Sequence, residues 1–166
     1  KITDPLPTEL DSTNTLIIVF YSKEFDQIKT LQKKFSLSTI VGCSTAGEIS
    51  SNIIIDEAVI CITKFESAHF KVFHKRISLD NSFNCGRYLG LKLLDKDLKG
   101  VVILSEGLNI NGSQFTHGLK KSIQVPVFGG LSGDGGAFKK TTVLYQDKFL
   151  NSNVIAIGFY GDINFN

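Results

Sequence analysis

The sequence predicts a mixed α/β fold of α+β character, built as two strand-helix-strand-turn halves on a mixed β-sheet. Three observations carry this prediction. Two turns match: Val41-Gly42-Cys43-Ser44-Thr45-Ala46-Gly47-Glu48 and Val127-Phe128-Gly129-Gly130-Leu131-Ser132-Gly133-Asp134 each leave a short apolar run and close on a Gly-acid pair. The leading valines, the last glycines and the acids all stand 86 positions apart. Each turn is also preceded by the same order of segments, a continuous apolar run (16–21 or 101–104) followed by an amphipathic stretch. Finally, each half contains further apolar runs separated by short polar stretches, which lets antiparallel strands join the sheet.

Taken in order, residues 1–14, with Pro5, Pro7, Asp11, Ser12 and Asn14, lack periodicity and read as a lead-in to a domain over 15–166. Residues 16–21 form a continuous apolar run, β-branched or aromatic after Leu16, which suits a strand buried on both faces. Ser22 can cap a helix over 23–35, where Phe25, Ile28, Leu31, Gln32 and Phe35 share one face. Residues 40–41 form a short strand entering the first turn. Residues 58–63 and 69–74 read as a hairpin around Glu66-Ser67-Ala68. Alternation there puts Phe70, Val72 and His74 on one face and His69, Lys71 and Phe73 on the other. The longest helix is expected over 81–98, carrying Phe83, Tyr88, Leu91, Leu94 and Leu98 inward, with Gly100 as its C-terminal stop. Residues 101–104 are a third buried strand, and Asn109-Ile110-Asn111-Gly112 opens a helix over about 113–123. Pro126 precedes the second turn, and 141–145 and 154–160 are closing strands joined across 147–153.

A chain of 166 residues can bury a core without disulfide or metal staples, and 42% hydrophobic with 20% charged residues fits a globular domain. A net charge of +2, with lysines in scattered pairs (Lys33-Lys34, Lys120-Lys121, Lys139-Lys140), offers no basic stripe for nucleic acid. Three cysteines, Cys43, Cys61 and Cys85, give an odd count without C-x-x-C spacing, so neither a disulfide framework nor a zinc site is expected and a reducing cytoplasm is. No apolar run approaches membrane-spanning length and no signal peptide is visible. The absence of methionine, with ends at Lys1 and Asn166, leads to the expectation of a piece of a longer protein.

Three segments can carry chemistry. The stretch 129–136 has five glycines, whose N–H groups can converge on an anion, yet it matches neither phosphate-binding glycine pattern. Its plain alternative is a wide turn with no ligand. The first turn offers a thiol and two hydroxyls, Cys43, Ser44 and Thr45, beside Glu48. The nucleophile-elbow pattern fails there because Ala46 stands where glycine is needed, no histidine is near in sequence, and no cation is present to lower the thiol pKa. Cys43 then reads as a small packing residue. The third segment, from Ser105 to Gly112, follows a buried strand and opens a helix, which is where ligands settle in α/β sheets; Glu106, Asn109 and Asn111 would supply polar contacts, or simply cap the helix. His69, His74 and His117 have no metal-ligand spacing, so neither a metal nor a cofactor is expected.

Together these strings resemble a known family. Val-Gly-Cys-Ser-Thr-Ala-Gly-Glu-Ile at 41–49, Asn111-Gly112 before a helix, Val-Phe-Gly-Gly-Leu-Ser-Gly-Asp at 127–134 and Val-Ile-Ala-Ile-Gly-Phe-Tyr-Gly at 154–161 resemble the N-terminal FIST domain, over about 16–161. The resemblance implies a cytoplasmic sensory module of signalling proteins that binds small ligands such as amino acids. It also implies a partner C-terminal FIST domain or signalling output domain outside this chain, and it carries over no catalytic role.

The leading expectation is therefore a non-catalytic small-molecule sensor. Its ligand would sit between the two turns, against Cys43, Ser44, Thr45 and Glu48 on one side and Gly129, Gly130, Ser132 and Asp134 on the other, over a floor of Glu106, Asn109 and Asn111. Two acids among hydroxyls and amides favour an ammonium group, and the glycine N–H groups suit a carboxylate, so an amino acid fits. The alternatives are a hydrolase or transferase using Cys43 or Ser44, which needs a histidine brought in by folding, and a protein-interaction module that exposes a strand edge.

Overall fold

The computed structural model describes residues 5–22, 25–50, 53–55 and 58–165. A 3-10 turn (Thr8–Leu10) leads into β1 (Thr15–Tyr21), α1 (Ile28–Lys34), β2 (Thr39–Ser44), β3 (Glu48–Ser50), β4 (Ile53–Ile55), β5 (Ala58–Lys64) and β6 (Ala68–Arg76). Then follow α2 (Ser82–Leu93), β7 (Leu98–Ser105), α3 (Gly112–Lys120), β8 (Val127–Leu131), β9 (Val143–Tyr145), β10 (Lys148–Leu150) and β11 (Asn153–Gly161).

The mixed α/β class holds, with the strands divided between two mixed sheets, of order β10-β9-β2-β1-β5 and β6-β11-β7-β8, and a separate β3-β4 pair. The repeat is visible in the pairing. β1 runs parallel to β2 and antiparallel to β5, and β7 runs parallel to β8 and antiparallel to β11. Each half then lends strands to the other's sheet: β9 pairs with the outer edge of β2, and β6 pairs with β11. β8 remains the outer strand of its sheet. Gly42 and Gly129 hold matching places, since a Cβ would stand 2.0 Å from the Val19 carbonyl oxygen in one case and 1.9 Å from that of Ile103 in the other.

Strand alternation explains why these runs are apolar on both faces. Ile17, Val19 and Tyr21 of β1 turn outward onto Phe25, Ile28, Leu31 and Phe35 around α1, whereas Leu16 turns inward with Val41, Cys43 and Val143. Opposite them, Leu104, Ile155, Ile157 and Phe159 fill the same inner layer from the second sheet. Val101, Ile103, Val154 and Ala156 face the other way, onto α2 and α3. The result is four layers, α1, five strands, four strands, then α2 with α3.

Several expected elements differ. The first helix is α1 alone, seven residues long with Gln27 at its N-cap; Lys23 and Glu24 of the expected start lie outside the described residues. The expected hairpin over 58–74 is a crossover, because β5 pairs with β1 and β6 with β11. Asn14 braces this crossover, its amide donating to the Phe65 and Ala68 carbonyls at 2.6 and 3.0 Å. In α2 the inward residues are Cys85, Gly86, Leu89, Gly90 and Leu93; Tyr88, Leu91 and Leu94 are exposed because the helix packs on α3 through its glycines. Leu98 and Gly100 belong to β7, and Gly100 leaves room for the Phe165 ring instead of ending the helix. The second turn starts only after β8, so Gly129 and Gly130 lie in a strand. The connection over 147–153 contains a further strand, β10.

Candidate functional site

At the carboxyl ends of the two parallel pairs the matching turns meet. Ser44 ends β2; its N–H donates to the Thr142 carbonyl at 2.9 Å and its Oγ accepts the Thr142 N–H at 3.0 Å. Its own carbonyl accepts the Gly133 N–H at 2.9 Å, which ties the first turn to the second. A Cβ on Gly133 would stand 3.0 Å from the Ala46 nitrogen, tighter than nearly all real Cβ contacts, so a larger residue would push the two turns apart by a few tenths of an ångström. Ser132 is anchored to its own sheet, with N–H and Oγ both donating to the Ser105 carbonyl at 2.7 and 2.6 Å.

The acids divide by role. Glu48 is 3% exposed; Oε1 accepts the Thr45 hydroxyl and Oε2 has no hydrogen-bond partner. A buried carboxylate oxygen without a donor is costly, and a ligand donor would relieve it. Glu106 is equally buried, but its oxygens accept the N–H groups of Asn109 and Leu108 at 2.5 and 3.2 Å and the Thr141 hydroxyl at 3.4 Å, so it closes its own loop. Asp134 braces the glycine-rich loop by accepting the N–H groups of Phe138, Lys139 and Lys140 at 2.8, 2.6 and 3.0 Å. Those bonds, from Lys140 and Lys139 above all, hold its carboxyl below the usual carboxylate range.

The structure thus brings Ser44, Thr45, Glu48, Glu106 and Ser132 to one junction. It sets Asn111 apart as the N-cap of α3, accepting the Gln114 N–H at 3.0 Å, and leaves Asn109 exposed. Gly129 and Gly130 lie exposed on β8. Cys43 is buried in the inter-sheet core; burial, with the charge of Glu48 beside it, pushes its thiol up to about 12. A thiol enclosed among apolar side chains in this way serves the packing of the core. The histidine rings are engaged elsewhere, His69 on Tyr160, His74 on Tyr145 and His117 on Phe83. No metal-binding group of histidine, cysteine and acid side chains is found among the described residues.

A cavity of about 640 Å³ opens beside Ser44, between α1 and the β9-β10 hairpin. Its inner wall is Tyr21, Phe25 and Ile28. The hairpin side supplies Thr142, Asp147 and Phe149, and Asp26, Lys29 and Lys140 complete the rim. The Tyr21 hydroxyl shares a 3.0 Å hydrogen bond with the Thr142 hydroxyl, and burial raises its pKa. Sequence reasoning found only Ser44 of this set. Tyr21, Phe25 and Ile28 carried an apolar signal that also means core, and nothing in the sequence joins residues 21–29 to residues 140–149.

Fold and site therefore define an α/β domain with an open cleft at its strand ends; no helix among the described residues is long and apolar enough to cross a membrane. The chain belongs to the FIST family: the model of the FIST N domain matches residues 15–166. This is a family of sensory signal-transduction domains and not of enzymes. No curated protein and no solved structure matches the chain.

Proposed function

We propose that this domain senses a small metabolite, an amino acid or a molecule of similar chemistry, in the cleft between α1 and the β9-β10 hairpin, and works in the cytoplasm as the input of a signalling protein. The cleft itself carries the reading: a cavity of about 640 Å³ at the carboxyl ends of β1 and β2, the customary ligand position in α/β sheets. Its rim holds both signs of charge, Asp26 and Asp147 with Lys29 and Lys140, which suits a zwitterion. Glu48, whose buried Oε2 lacks a partner at the turn that follows Ser44, is a second point for a donor group. Three unpaired thiols suit a reducing compartment. Ligand binding would favour the closed cleft and pass that bias to an output partner.

A native-state ligand must raise apparent stability, by about 2.7 kcal/mol at a hundredfold excess over Kd. A thermal-shift screen of the chain against amino acids and small metabolites is expected to give a stabilising hit. Reversing both rim acids, Asp26→Lys with Asp147→Lys, should abolish it while leaving the unliganded melting temperature near wild type. A hit that survives the reversal would move the ligand to the Glu48 junction, and the absence of any hit would favour an interaction module.

A further inference from the structure

Building on that ligand-binding reading, we infer that the cleft selects its ligand by a bulky apolar group seated against Tyr21, Phe25 and Phe149, with Phe149 as the specificity-determining residue. Tyr21 and Phe25 are buried, and the Tyr21 hydroxyl is already engaged by Thr142, so what Tyr21 offers the cleft is its ring. Phe149 differs. It sits on the three-residue edge strand β10, lines the cavity, meets Tyr21 edge-on at 5.4 Å and is still 40% exposed. An aromatic face held open at a cavity wall is covered when an apolar group enters, and covering it is favourable.

Size and charge narrow the ligand further. A volume of about 640 Å³ falls within the range of roughly 300–1,000 Å³ that takes drug-sized molecules, so the cleft has room for a bulky side chain or a short peptide. Two lysines balanced by two aspartates at the rim give no net positive field for a phosphate group and no net negative one for a simple cation. They can hold the two charged ends of a zwitterion at the mouth while its side chain reaches the aromatic wall. The class that satisfies all three is an amino acid, or a short peptide, with an aromatic or branched aliphatic side chain.

The test is calorimetric titration of the chain with phenylalanine, leucine, glycine and aspartate, repeated on Phe149→Ala and Phe149→Leu. Phenylalanine or leucine should bind at least about tenfold more tightly than glycine or aspartate. Phe149→Ala should remove most of that preference, and Phe149→Leu, which restores an apolar wall and guards against a folding defect, should recover much of it. Glycine or aspartate binding as tightly as phenylalanine, or unchanged preference in Phe149→Ala, would overturn the specificity while leaving the cleft as a binding site. No heat and no thermal stabilisation with any of the four would overturn the specificity, and the absence of any hit in the metabolite screen as well would overturn the cleft as a binding site.

Discussion

Asp134 and Glu48 close the two matching turns, yet their surroundings give them different work. Glu48 is enclosed with one oxygen unused, whereas the oxygens of Asp134 are taken by three amides of the loop that carries Lys140 to the cleft rim. Asp134 therefore positions the rim through its loop. Its carboxyl is held below the ordinary value, so the ionised form is favoured by folding. That contribution is fully present above about pH 4 and is lost as the pH falls through the lowered folded value. Asp134→Asn should accordingly be less stable than wild type in urea unfolding at about pH 7, with the gap narrowing at about pH 3. Equal gaps at both pH values would show that the loop amides do not read the charge.

Among the elements, α2 and α3 show most plainly what decides their packing. A Cβ on Gly86 would stand 2.1 Å from the Phe115 carbonyl oxygen, and one on Gly118 would stand 2.0 Å from that of Phe83, so each helix rests its glycine on the other's backbone. Backbone cannot step aside. Gly118→Ala should cost at least about 1–3 kcal/mol in urea unfolding, the usual penalty of overpacking. Gly112→Ala, in the first turn of α3 with open space at its Cβ, should be neutral or stabilising by up to about 1 kcal/mol. If the two variants behaved alike, close approach would not explain the first. These glycines also explain how the sequence misleads. The amphipathic face of α1 was legible because Phe25, Ile28, Leu31 and Phe35 all mark it, but the inner stripe of α2 mixes the small residues Ser82, Cys85, Gly86 and Gly90 with Leu89 and Leu93, and Tyr88, Leu91 and Leu94 signalled the exposed side instead. The repeat was legible because both parallel pairs end in glycine-bearing turns. The strands β3, β4 and β10 have three residues each, too few to show a period, and no local pattern tells that β6 pairs with β11 and not with β5.

At the scale of the molecule, the two halves exchange structure at the place where the cleft lies. Its inner wall comes from β1 and α1, its hairpin wall from residues 140–149 of the second half, and Ser44 stands where they join. This composite origin is why the wall residues could not be assembled from sequence: each half alone presents an ordinary apolar strand end. It also wires the cleft to the second sheet. Ser44 binds Thr142 on the cleft side and receives Gly133 on the other, and Ser132 next to it is fixed twice on Ser105 at the end of β7. Glycine at 107 tightens the same knot, its N–H donating to Thr141 Oγ1 at 2.8 Å and its Cα lying against the Ser132 carbonyl, 2.3 Å from where a Cβ would stand. A ligand that stills the hairpin should therefore still these amides as well, because the chain of bonds has no slack between Thr142 and Ser105. Hydrogen exchange with and without saturating phenylalanine is expected to slow at Ser44 and Thr142, and also at Ser132 and Gly133, which do not line the cleft. Protection confined to Ser44 and Thr142 would mean that the sheets respond separately, and that the signal leaves the domain through α1 or the hairpin itself.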